Sequence, residues 1–276
     1  MGPPTRRHFL KDLGLGAAVL SAPAGSEPGD ARQMPGEAAY GAMRGPASST
    51  LMSVAAHPGD AFFAMGAPVA QHIHNGGRGV FLSLSLGEKG SATIPPQQYG
   101  PMQRDASERA AKMLHAQAAF LPYPDGEVPF NNESCFAVCD LIREFKPAIV
   151  VTHWRGSWHK DHRNCYRIVN DAVFYAALPA IVRKLPAHSV RELFFAENWE
   201  DAKGFHADTY LEVMTPVCER WLEACSAFPM WRGETGFRYN DYYQSLALAN
   251  GCLSQFGRAV ALMSPPEQLT RHVRSR

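Results

Sequence analysis

Two short stretches carry the residues best suited to chemistry. One is His57-Pro58-Gly59-Asp60; the other runs from His153 to His159-Lys160-Asp161-His162. Imidazole and carboxylate side chains are the donors of hydrolytic zinc sites, in which three protein ligands leave a position open for water and a substrate oxygen. His57 and Asp60 supply two such donors. If the two stretches meet, His162 supplies the third, giving a set of two histidines and one carboxylate. The same donor set suits Fe(II), so a non-haem oxygenase competes with a zinc hydrolase. The His-x-x-Asp spacing and the parallel-sheet setting described next count against the oxygenase.

The chain must fold so that the two stretches face one crevice. Residues 51–57 form an apolar run that ends in Pro58 and Gly59, which reads as a buried strand feeding a turn. A helix is expected over 62–75, stopped by Gly76-Gly77, then a strand over 80–86. Helices follow over 102–117 and 133–145, with strands over 118–121 and 148–152. A helix over 162–177, strands over 192–196 and 210–213, and helices over 216–224 and 241–256 complete the pattern. Such alternation predicts an α/β fold, a three-layer sandwich with a mainly parallel sheet. Ligands bind such sheets at the carboxyl ends of their strands. His57 and the 153–162 run both follow strands, so they meet if those strands are neighbours.

At 276 residues and 46% hydrophobic, the chain can bury a full core. A net charge of +1 without charged blocks gives no electrostatic footprint for nucleic acid or anionic lipid, and favours a small substrate. Thr5-Arg6-Arg7-His8-Phe9-Leu10-Lys11 has a twin-arginine pattern, followed by an apolar stretch over 13–20 and the small residues of 21–24. We read residues 1–24 as a bacterial export signal, 25–49 as a flexible linker and 50–276 as a single domain. The mature protein is thus expected in the periplasm or outside the cell, with no transmembrane segment. The six cysteines include no Cys-x-x-Cys pair and read as buried thiols.

Several segments together resemble the LmbE-like, PIG-L family of zinc N-deacetylases. Ala56-His57-Pro58-Gly59-Asp60 resembles its AHPDD strand end, and His159-Lys160-Asp161-His162 its HPDH-type loop. Leu86-Gly87-Glu88-Lys89-Gly90 resembles its GE loop, Arg104 with Glu108 a helix of the family, and 121–126 its Asp-Gly stretch. The likeness covers about residues 50 to 170. It implies a Rossmann-like fold, zinc on His57, Asp60 and His162, and release of acetate from an N-acetyl sugar or related amide. It further implies that His159, held by Asp161, stabilises the oxyanion or protonates the leaving amine. Glu88, Arg104 and Asp125 would lie near the sugar.

One position departs from the family. Its general-base aspartate is Gly59 here, and Ala61 offers no shifted carboxylate. A positioned base is worth about 10²–10⁴-fold in rate. Two outcomes follow: a hydrolase that draws its base from elsewhere, with His159, Asp161 or Glu88 as candidates, or an exported metal- or sugar-binding homologue that has lost catalysis. Trp154 and Trp158 suit a sugar subsite or packing. Trp199, Trp221, Trp231, Phe237 and the tyrosines of 239–243 read as core, and His72 and His74 as surface.

Overall fold

The structure, a computed structural model, describes residues 49–266. The expected export signal at 1–24 and the expected linker over 25–49, except for Ser49, lie outside the described residues. Strands β1 (Thr50–Ala55), β2 (Arg78–Ser85), β3 (Gln117–Tyr123), β4 (Pro147–Thr152) and β5 (Glu192–Ala196) are parallel. They join β6 (Thr209–Glu212) and β7 (Ala259–Met263) in one sheet of order β3-β2-β1-β4-β5-β7-β6. The strand β7 pairs antiparallel with both β5 and β6. It was not foreseen in the sequence.

Every residue of β1 is buried, and its side chains alternate between two cores. Leu51 and Ala55 join the layer containing Phe62, Val69 and Trp221, whereas Met52 and Val54 join that of Val138 and Ile168. The first layer is built by helices α1 (Pro58–Phe63), α2 (Gly66–His74), α3 (Pro96–Met113), α6 (Thr215–Cys225) and α7 (Tyr239–Ser254). Helices α4 (Asn132–Phe145) and α5 (Lys160–Ala177) build the second. The expected three-layer α/β sandwich is what forms.

The strand order reverses beside β1: β2 lies on one side of it and β4 on the other. In doubly wound sheets such a switch point opens a crevice at the strands' carboxyl ends. The loops after β1 and β4 therefore flank it, as the sequence required.

Where one helix was expected over 62–75, two short ones form. Pro58 occupies the first turn of α1, where its missing N–H costs nothing, so the helix starts directly after His57. It stops at Phe63 because the Phe62 carbonyl is taken by another element. Trp221 donates its Nε1–H to it at 2.7 Å, and the Cys225 thiol also approaches. The chain can turn there because Gly66 has no side chain.

Other differences are local. His72, expected at the surface, is buried, with its Nε2 2.9 Å from the Ser49 carbonyl oxygen. Gly77 makes this possible, since a Cβ there would stand 2.2 Å from the imidazole. His74 is exposed. Five cysteines are buried thiols, but Cys252 is exposed on α7. Trp154, Trp221 and Trp231 pack in the interior, whereas Trp158 is exposed. Among the described residues no helix is long and apolar enough to cross a membrane.

A Cβ on Gly66 would lie 2.8 Å from Trp221 Nε1. Gly66→Ala should therefore cost about 1–3 kcal/mol through overpacking, read as a lower urea midpoint. An unchanged midpoint would contradict this account of the α1–α2 break.

Candidate metal centre

Two helix N-termini meet at the crevice, and each presents its motif in the same way. His57 caps α1, with Asp60 in the first turn. His159 caps α5, with His162 one turn inside. The first and fourth residues of each motif thus face the same point. His57 Nδ1 lies 3.1 Å from Asp60 Oδ2, Asp60 Oδ2 lies 3.2 Å from His162 Nε2, and His162 Nε2 lies 3.3 Å from His57 Nδ1. For zinc with bonds of about 2.0 Å, tetrahedral donors stand about 3.3 Å apart. The three atoms have the spacing of one face of such a tetrahedron, so these residues fit a divalent metal.

A second ring of groups fixes each ligand. Asp201 lies on a turn of 3₁₀ helix (Trp199–Asp201) after β5. Its Oδ1 is 2.9 Å from His162 Nδ1 and its Oδ2 is 2.7 Å from His153 Nδ1. The Ala56 N–H donates to His153 Nε2 at 3.1 Å. That bond requires a bare Nε2, so His153 carries its proton on Nδ1 and gives it to Asp201. The other oxygen of Asp201 then accepts from His162 Nδ1, which leaves Nε2 free to face the metal position. Asn198 Nδ2 donates to Asp60 Oδ1 at 3.0 Å, tying the same turn to the carboxylate ligand. His57 Nε2 is 3.1 Å from Asp125 Oδ1 and 3.5 Å from Asp161 Oδ2, close to both charges without an aligned hydrogen bond to either.

Two other groups of donors overlap this one. His153, His162 and Asp201 are fully enclosed, and both Asp201 oxygens and both histidine Nδ1 atoms are spent on each other, so this group suits structure. His57, Asp125 and His159 also lie within 4.8 Å of one another, on the far side of the His57 ring. The first group is tighter, and of the ring nitrogens that it does not use, His162 Nδ1 is held by Asp201 while His57 Nε2 faces Asp125 and Asp161.

The charges explain the protonation of the site. Burial disfavours the charged form of His162, yet Asp60 and Asp201 hold its proton and raise its pKa to about 10. His57 is also buried, and Asp125, Asp161 and Asp60 raise it well above its ordinary value. Burial would raise Asp60, but His162 holds it well below the usual carboxylate range. His159 is pushed down to about 4, by burial first and then by the charges of His57 and His162. It is neutral. Its Nδ1 accepts the Asp161 backbone N–H at 3.2 Å, so its proton sits on Nε2. Burial and the nearby Asp60 charge raise Glu200 to about 7.

The remaining sequence candidates divide. Asp125 lines the crevice, and its backbone N–H is held by Glu88 Oε1 at 2.8 Å. Glu88 therefore positions Asp125. Asp161 holds His159 through its backbone N–H, which donates to His159 Nδ1. Its carboxylate is buried and accepts from the Gly126 and Val128 amides at 2.6 and 3.3 Å. Arg104 is not brought to the site: it is exposed on α3, stacked over the Phe120 ring. Gln103, next to it, faces the crevice instead. The crevice holds about 130 Å³ and is walled by Phe63, Tyr99, Met230, Tyr239 and Tyr243. Asn198, Glu200 and Asp201 are not singled out by the sequence reading. The one signal for them was a polar run directly after a strand.

Residues 52–173 match the family PIG-L, described as GlcNAc-PI de-N-acetylase. A curated relative, the 1D-myo-inositol 2-acetamido-2-deoxy-alpha-D-glucopyranoside deacetylase of Geodermatophilus obscurus, is 30% identical in an alignment of length 163 that covers 48% of this chain and 55% of that protein. The chain spans about half the length of that relative. The structure resembles N,N'-diacetylchitobiose deacetylase from Pyrococcus horikoshii with a TM-score of 0.67 at 17% identity, covering 87% of this chain and 95% of that one. It resembles a 4-carboxy-2-hydroxymuconate hydratase from Pseudomonas putida KT2440 with a TM-score of 0.73 at 19% identity, covering 82% of this chain and 100% of that one. At such identities the likeness shows the fold alone, and the fold hosts more than one reaction.

Both raised histidines carry protons at neutral pH when no metal is bound. Metal must displace them, so affinity should fall as pH falls. Titration calorimetry of zinc into metal-free protein, in buffers of different ionisation enthalpy at pH near 7, should report about two protons released per metal. Binding without proton release would contradict the assignment.

Proposed function

We propose, for a chain whose residues 52–173 form a PIG-L (LmbE-like) domain, that the protein is a metal-dependent deacetylase hydrolysing the amide of an N-acetyl sugar or a related small molecule or glycan. The observation that carries this reading is the triangle of donor atoms, 3.1, 3.2 and 3.3 Å on its edges, beside a neutral imidazole in an open crevice. Zinc, or another divalent ion such as Fe2+, would be held by His57, Asp60 and His162, and when bound supplies a Lewis acid that polarises the acyl carbonyl and activates water.

The chain's own groups do the rest. His159 presents Nε2–H to the acyl oxygen as negative charge grows there, and its low pKa keeps it a neutral donor. This favours oxyanion stabilisation over delivery of a proton to the amine. Asp125 and Asp161 place negative charge beside the His57 ring. The N-terminus of the 18-residue α5 adds favourable potential for the same charge. Aromatic walls from Phe63, Tyr99 and Tyr239 suit an acetyl methyl and a sugar face. The twin-arginine pattern at Arg6-Arg7 supports export, so the substrate would be met outside the cytoplasm.

A second reading, a metal- or sugar-binding homologue without catalysis, is favoured by one observation: Gly59 has no side chain to act as a base. The zinc-loaded protein should release acetate from N-acetylglucosaminyl compounds. His159→Ala should lower kcat about 10²–10³-fold at unchanged metal content. Protein with one zinc per chain that released no acetate, and gained activity on Gly59→Asp, would establish the second reading.

A further inference from the structure

Hydrolysis of an amide needs an acceptor for the proton of the attacking water. Position 59 cannot provide one, and the ground beside it is occupied. A Cβ on Gly59 would stand 3.2 Å from Met230 Sδ and 3.3 Å from a carbon of the Phe63 ring. Met230 is itself held by Gln103. This corner of the crevice is apolar and filled.

The crevice is lined by three carboxylates among the described residues. Asp60 belongs to the ligand triangle. Asp125 accepts the Lys89 N–H at 2.9 Å and faces His57 Nε2 at 3.1 Å. Glu200 is different. Its Oε2 lies 3.5 Å from His162 Nε2, the nitrogen that faces the metal position, and among the described residues no aligned donor holds it. Its backbone is fixed firmly. The Asn198 side chain accepts the Glu200 N–H at 3.1 Å, and the Glu200 carbonyl accepts from Trp158 N–H at 3.3 Å. Its neighbours in the same turn, Asn198 and Asp201, each hold a member of the triangle. One turn therefore orients two ligands and delivers a free carboxylate to their open side.

We propose that Glu200 is the catalytic proton acceptor of this chain, taking from the β5 turn the role that Gly59 cannot fill; the inference rests on the hydrolase reading. The attacking water's O–H bond breaks and its proton passes to a Glu200 carboxylate oxygen. The water oxygen bonds to the acyl carbon, and the carbonyl pair moves to the acyl oxygen beside His159. Collapse restores the carbonyl, breaks the C–N bond and returns the proton from Glu200 to the nitrogen. A free amine and acetic acid leave, and the acid ionises to acetate.

The test compares zinc-loaded wild type with Glu200→Gln and Glu200→Ala. Each is assayed for zinc per chain, zinc affinity and thermal unfolding, and for turnover of an N-acetylglucosaminyl compound and of p-nitrophenyl acetate. Glu200→Gln should keep its fold and one zinc at unchanged affinity while kcat falls about 10²–10⁴-fold on the substrates that wild type turns over. Added formate should restore part of the activity of Glu200→Ala, as a diffusible carboxylate in the vacated space. Activity of Glu200→Gln within tenfold of wild type would overturn the proposal, as would loss of zinc from it, which would make Glu200 a ligand. Glu200-dependent cleavage of the ester without cleavage of any N-acetyl sugar would support the proton acceptor and reject the substrate reading. Wild type inert on both substrates would overturn the proposal together with the hydrolase reading.

Discussion

The carboxylate of Asp201, shared between two histidines, is the contact on which the rest of the site depends. Its two oxygens lie 2.7 Å from His153 Nδ1 and 2.9 Å from His162 Nδ1. It is held ionised well below the usual carboxylate range, at about 2, because both imidazoles face it despite its burial. An isolated buried carboxylate would be costly, so the two rings and the Ala56 N–H behind them form one unit. That unit fastens the end of β1, the end of β4 and the turn after β5 to one another. It also decides which nitrogen of His162 faces the crevice.

Backbone geometry supplies the rest of the placement. Because β1 and β4 are neighbours at the point where strand order reverses, α1 and α5 begin side by side. Each is capped by a histidine, and each carries a ligand in its first turn. Four carboxylates, those of Asp60, Asp125, Asp161 and Asp201, surround two raised histidines. Without a metal the two histidines hold protons that offset part of that negative charge. With one, the same carboxylates favour a divalent cation and orient its ligands.

Much of this was legible because the relevant signals are local. A buried strand that ends in Pro-Gly, and an apolar β-branched strand that ends in histidine, locate both halves of the triangle. The three-layer class follows from alternation alone. What was missed depends on distance or phase. Asp201 acts on residues 48 and 39 positions away, from a polar turn with no periodicity to mark it. Arg104 was placed near the substrate by resemblance, but α3 begins at Pro96, and its phase turns Gln103 inward and Arg104 out. Asp161 lies in the right loop, yet the Gly126 and Val128 amides draw its carboxylate beneath the crevice. Gly59 was legible as a lost base. That Met230 fills its place could not be read from a residue so far along the chain.

The central claim is a divalent metal seated on His57 Nδ1, Asp60 and His162 Nε2. Anomalous diffraction at the zinc edge, from crystals of the zinc-loaded protein, tests it most directly. One peak is expected, within bonding distance of those three donors and beside Glu200. A peak on the other side of the His57 ring, bound by Asp125 and His159, or no peak in the crevice at full zinc loading, would contradict the account.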